Sequence, residues 1–281
     1  MQKKPMAEAN RISAMLNAVY GNENRFPVDV RKLALEYSQQ CFPKEPIVSV
    51  EPLNLPGFEG LLACHSSGKK WKIGYNNDIQ SEGRIRFTLA HEFGHYLLHR
   101  KQQNQFMCTQ EDMHDWDEVE RKIESDADTF ASFLLMPADD FRRQITGQKL
   151  DIDLLLHCND RYGVSPMAAA LKMIGIYSGR AVVVAARDGF VLWARSSKSA
   201  FDSYVYLAAK KQTIEVPAQS LLNLSSATET KRFATQKAQL WFPREPADMD
   251  LVEHVYISEG DYPYTLGLLL LPDAQSYWKR P

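Results

Sequence analysis

The chain predicts an α+β protein, with a small sheet packed on two long helices, then a helical connector, then a β-rich C-terminal domain. Three observations predict it. Two strong helical periodicities, at residues 85–100 and 118–136, follow a run of short alternating strands at 47–76. A helix pair then brackets Arg161-Tyr162-Gly163-Val164, and from Arg180 onward the alternation is that of strands.

In chain order, residues 7–40 read as two helices broken at Gly21-Asn22, with Pro27 and the spacing of Val28, Val30, Leu33 and Leu35 opening the second. Residues 47–76 carry short strands separated by Pro56-Gly57 and Ser66-Ser67-Gly68; in the last of them Trp71, Ile73 and Tyr75 alternate. A polar stretch joins the two long helices, and Pro137 ends the second because it lacks the amide hydrogen a helix interior needs. Residues 150–175 read as two short helices, with Ser165 as N-cap and Pro166 at the first helical position of the second. Strands are expected at 181–185, 190–195, 204–207 and 264–271, with Gly179 as the boundary before them. The expected domains are therefore 1–145, 146–179 and 180–281, the last of a size that commonly folds alone.

Composition excludes several classes. The 33 Lys+Arg against 35 Asp+Glu give a formal charge of -2, so nucleic acid and anionic membrane exert no global attraction. No apolar segment follows the N-terminal charges, and the longest apolar run, 266–271, is far too short to span a bilayer, so a cytoplasmic protein is expected. Cys41, Cys64, Cys108 and Cys158 show no paired spacing, which argues against a disulfide framework or a zinc ribbon.

The chemistry concentrates in His91-Glu92-Phe93-Gly94-His95. Histidines four apart lie on one helical face, where their imidazoles can converge on one ion, with Glu92 beside them. Zinc lowers the pKa of a coordinated water to roughly 7, and a neighbouring carboxylate can take its proton and pass it to a leaving amine. Glu92 is thus the expected catalytic base, and His91 and His95 are the expected metal ligands. The third ligand is expected to be Glu124 on the next helix, with Glu120 and Asp126 competing. Asp126 points about 200° away from Glu124, and Glu120 lies one turn off. Asp128, one turn beyond Glu124, is placed to orient a ligand histidine through its outer nitrogen. Gly94, Ala127 and Ala131 leave room for the two helices to approach each other.

The segments Arg84-x-Arg86-Phe87-Thr88-x-Ala90-His91-Glu92-x-Gly94-His95 and Glu124-x-x-Ala127-Asp128-x-Phe130-Ala131-x-x-Leu134-Leu135-Met136-Pro137 together resemble the ImmA/IrrE metallopeptidase family. Asp128 stands where that family usually has Asn, a change that leaves the orienting role intact. The resemblance covers residues 7–175. It implies a zinc peptidase domain that cleaves a helix-turn-helix repressor, so derepressing genes for phage, mobile elements, phage defence or DNA-damage responses. It also implies a small GAF-like or sensor-like domain after the protease, here residues 180–281, with single-stranded DNA as a candidate activator. Tyr204, Tyr206, Trp241 and Phe242, with Lys210, Lys211, Lys231 and Arg232, would suit stacking and phosphate contacts; core aromatics on a solvated basic rim explain the same residues more simply.

Other residues admit two readings. Cys108 is either a free loop thiol or an inhibitory zinc ligand, a cysteine switch at the open coordination position. His99 and His114 are either solvated or oxyanion stabilisers. Residues 71–76 are either a core strand or an edge that holds an extended substrate. Residues 154–176 resemble a helix-turn-helix, but the expected outward positions Met167, Ala168, Ala169, Ala170 and Lys172 reach few phosphates or bases, so a structural helix pair is expected. The rival to an enzyme is a non-catalytic, zinc-stapled regulator that binds a repressor or DNA.

Overall fold

The computed structural model describes residues 4–108, 118–223, 231–258 and 263–273. The chain divides into two compact units: Met1–Phe141 with Asn159–Ser165, and Arg142–Cys158 with Pro166–Pro281. Among the described residues it is α+β, with two sheets.

The first unit opens with α1 (Pro5–Asn24), interrupted at Gly21, whose φ of 75° and ψ of 164° no helix accommodates. Helix α2 (Val30–Cys41) is capped by Asp29, whose side chain accepts the Lys32 amide. Strands β1 (Ile47–Leu53), β2 (Gly60–Cys64), β3 (Trp71–Asn76) and β4 (Gln105–Cys108) form a sheet of order β1-β3-β2-β4. β1 runs parallel to β3, and the other pairs are antiparallel. Strand β3 is interior, with Trp71 and Ile73 buried, so residues 71–76 are a core strand and offer no edge to a substrate. β4 takes up part of the polar stretch expected to be loop.

Helix α3 (Glu82–Leu98) starts at Ser81, whose hydroxyl accepts the Arg84 amide, and packs on β2 and β3, with Leu89, Phe93, Tyr96 and Leu97 buried. Helix α4 (Glu118–Leu135) lies against α3, burying Ile123, Ala127, Phe130, Ala131 and Leu134 at i, i+3, i+4 and i+7 spacing. A Cβ added at Gly94 would stand 3.0 Å from Phe130 Cδ1 and 3.3 Å from Ala127 Cα. The glycine, which costs about 1 kcal/mol relative to Ala in a helix interior, is what permits this contact.

Beyond Pro137 the chain forms α5 (Ala138–Ile145), α6 (Ile152–Tyr162) and α7 (Pro166–Ile176), with Gly163 at φ 57° in the turn between the last two. Ala169 and Ala170, expected to face outward, are buried, and α7 packs on β5 (Arg180–Arg187) and β6 (Phe190–Ser196). That packing suits the structural reading of this helix pair.

The second unit also holds α8 (Lys198–Asp202) and strands β7 (Lys231–Lys237), β8 (Asp250–Ser258) and β9 (Tyr264–Leu271). Its sheet is antiparallel throughout, in the order β6-β5-β9-β8-β7. Asp188 and Gly189, with φ of 53° and 79°, make the two-residue turn between β5 and β6 whose twist matches the strands. The strand expected at 204–207 is absent, because Tyr204 takes a φ of 63° that breaks an extended run. Arg180, 1% exposed, pairs with Glu245 at 2.5 Å and also donates to Ser203 Oγ and the Pro272 carbonyl. Truncating Arg180 to Ala strands the buried Glu245 charge and is expected to cost about 3–5 kcal/mol, whereas the double change Arg180→Met with Glu245→Met should recover most of it. Denaturant midpoints of the three proteins check this.

Candidate metal centre

One face of α3, the middle of α4 and the end of β4 meet at a single point. His91 Nε2 and His95 Nε2 stand 2.9 Å apart. Glu124 brings Oε2 to 3.0 Å from His91 Nε2 and Oε1 to 3.3 Å from His95 Nε2. Cys108 Sγ lies 3.6 Å from His95 Nε2 and 3.7 Å from Glu124 Oε2. One donor atom from each of His91, His95, Cys108 and Glu124 falls within 4.8 Å of all the others. The edges of a zinc tetrahedron with bonds of 2.0–2.3 Å are roughly 3.3–3.8 Å, so the spacing and the donor types fit that ion.

A further carboxylate meets this cluster from outside. His91 Nδ1 is 2.9 Å from Asp128 Oδ1, which leaves Nε2 to face the centre. Neither of the competing carboxylates joins the group: Glu120 is exposed, and Asp126 lies 4.0 Å from His99 Nε2 instead. His99 is buried against the outer edge of His95 and so is not aimed at an oxyanion. His114 lies outside the described residues.

Glu92 is fully buried, and neither carboxylate oxygen has a hydrogen-bond partner of good geometry, although the Cys108 thiol lies in its surroundings. Its carboxylate lies beside Gly60 of β2, where any Cβ would collide with Glu92 Oε1 and Thr88 Cγ2. Burial raises the Glu92 pKa to about 7, against the pull of His91. An orphaned buried carboxylate next to a set of convergent donors is a group waiting for a polar partner.

Shared protons hold the cluster together. Burial disfavours the charged form of His91, but the hydrogen bonds it donates to Asp128 and Glu124 outweigh it and raise its pKa to about 10. Burial likewise opposes ionisation of Glu124, and the two histidines overcome it, bringing the carboxyl down to about 2. Burial and the charges of Glu92 and Glu124 drive the Cys108 thiol well above its ordinary value.

In the second unit, Tyr204, Tyr206, Trp241 and Phe242 line one cavity of about 770 Å³, together with Gln212 and Arg244. Trp241 and Phe242 are mostly core, while Tyr204 and Tyr206 are half exposed. The side chains of Lys231 and Arg232 lie outside the described residues. No described helix is long and apolar enough to cross a membrane.

Residues 44–173 match the family model Peptidase_M78, described as the IrrE N-terminal-like domain. That span contains every member of the donor cluster. No curated protein matches the chain.

Because His91 is protonated at neutral pH without the ion and must lose that proton to ligate, zinc affinity is expected to rise with pH by about tenfold per unit for each proton released. If Cys108 also ligates, wild type should release more protons than Cys108→Ser. Calorimetric titration of zinc in buffers of different ionisation enthalpy counts them.

Proposed function

We propose that this chain is a zinc-dependent endopeptidase that cleaves a helix-turn-helix transcriptional repressor and thereby derepresses genes of a DNA-damage or stress response. The observation that carries the hydrolytic reading is Glu92, a buried carboxylate with no hydrogen-bond partner of good geometry, set beside three convergent ligand side chains. The peptidase family model that residues 44–173 match supports it.

His91, His95 and Glu124 would hold a zinc ion, which when bound would supply Lewis acidity toward the scissile carbonyl and a water of lowered pKa. Glu92 takes the proton of the attacking water at a carboxylate oxygen and delivers it to the departing amine nitrogen. Burial favours the protonated carboxyl and a bound cation would favour the carboxylate, so Glu92 can serve both steps. Asp128 holds His91 in its ligating tautomer. Strand β4 ends the sheet on the side of the site and, among the described residues, pairs only with β2, so an extended substrate has a backbone edge to lie against. A helix-turn-helix repressor as substrate follows from the family resemblance alone.

Cys108 supplies the regulation. Its sulfur stands at the fourth corner of the donor set, and as a thiolate there it excludes the attacking water. Activation then requires its withdrawal. Single-stranded DNA is the proposed activator, acting through the second unit, where an aromatic cavity offers faces on which bases can stack.

The same sulfur favours a second reading. A closed set of four protein donors is the mark of a structural zinc, and a non-catalytic regulator would need no more. Glu92 separates the two, since a staple has no use for an unligated carboxylate at the metal. The test is zinc content and repressor cleavage by wild type, Glu92→Gln and Cys108→Ser, each with and without single-stranded DNA, on the helix-turn-helix protein encoded beside it. All three should hold zinc, Glu92→Gln should lose about 10²–10⁴-fold in rate, and Cys108→Ser should cleave without DNA. Cleavage by Glu92→Gln at the wild-type rate would remove the proposed base, and an unchanged basal rate in Cys108→Ser would remove the switch.

A further inference from the structure

We infer that His99 is a positioning residue for the metal centre: it holds His95 in the tautomer that ligates. The inference rests on the zinc reading above and extends it to a second orienting arm.

His95 Nδ1 lies 3.2 Å from His99 Nδ1, and both rings are buried. His95 Nε2 faces His91, Glu124 and Cys108, so it is the nitrogen whose lone pair must be free. Its proton therefore sits on Nδ1 and needs an acceptor, and His99 Nδ1 is the acceptor within reach. With Nδ1 accepting, His99 carries its own proton on Nε2, the nitrogen that faces Asp126 Oδ2 at 4.0 Å. The opposite tautomer of His99 would set two N–H groups against each other at 3.2 Å.

Phe106 of β4 completes the clamp, its ring stacked on His95 at 4.6 Å between centroids and 15° between planes. The stack fixes the plane of His95, and the hydrogen bond fixes its rotation within that plane. His91 is served by Asp128 and His95 by His99, so each ligand histidine has its own orienter from a different position. His99 itself is outside the four-donor group, because it meets the outer nitrogen of His95.

The test is zinc affinity by chelator competition on folded wild type, His99→Leu, His99→Asn and His91→Ala, with melting of the metal-free proteins alongside. His99→Leu removes the acceptor and is expected to weaken zinc binding about 10–100-fold. His99→Asn places an amide oxygen near the lost Nδ1 and should recover most of that affinity. A packing role alone would lower the metal-free melting temperature and leave affinity untouched. Wild-type affinity in His99→Leu, or equal losses in His99→Leu and His99→Asn, would overturn the assignment. Binding by wild type no tighter than by His91→Ala would overturn the zinc reading itself, and this proposal with it.

Discussion

Everything at the centre depends on how closely α3 and α4 approach. Gly94 gives up its side chain on α3, Ala127 gives up all but a methyl on α4, and Phe130 fills what remains. Any Cβ at Gly94 would press on both, and spreading the helices would carry Glu124 away from the two histidines. The approach also buries His91, Glu92 and His95, polar groups whose desolvation costs several kcal/mol unless each is partnered. Shared protons meet part of that cost in the metal-free protein, and a cation would meet it better. The site is thus an electrostatic demand built into a helix contact.

The second constraint is the register of the small sheet. Cys108 pairs with Gly60 across β2 and β4, and Gly60 lies against the Glu92 carboxylate. One pairing therefore places the thiol and the proposed base side by side. On the neighbouring residues, Phe106 turns to His95, so a strand of four residues, Gln105–Cys108, serves the centre twice. This economy links the proposed switch to the geometry of the ligands, because a movement of β4 that withdraws the sulfur also disturbs the ring packed on His95.

Much of this was legible from residue order. Four-residue spacing put His91 with His95 and Glu124 with Asp128, since a helix makes such pairs face the same way, and the small residues marked where the two helices touch. Cys108 was visible as a residue, but its delivery was not, because β4 lies in a polar segment with little alternation. The role of His99 was hidden for a different reason: the stripe of histidines was evident, but which nitrogen meets which depends on ring orientation. In the second unit, β7 and β8 escaped notice because polar residues interrupt their alternation. Glu253 is fully buried in β8, satisfied by Ser220, the Leu221 amide and Trp241 Nε1, and a sequence pattern shows no such partners. Asp188 and Gly189, both at positive φ, fix how β5 meets β6, the strands expected at 181–185 and 190–195.

The most direct test of the central claim is X-ray absorption at the zinc edge of the purified protein. Four convergent donors predict one zinc per chain with two imidazole nitrogens and a carboxylate oxygen at about 2.0–2.2 Å and one sulfur at about 2.3 Å, the sulfur shell vanishing in Cys108→Ser. A shell of oxygen and nitrogen alone in wild type would contradict the placement of Cys108. Absence of bound zinc after loading would contradict the centre as a whole.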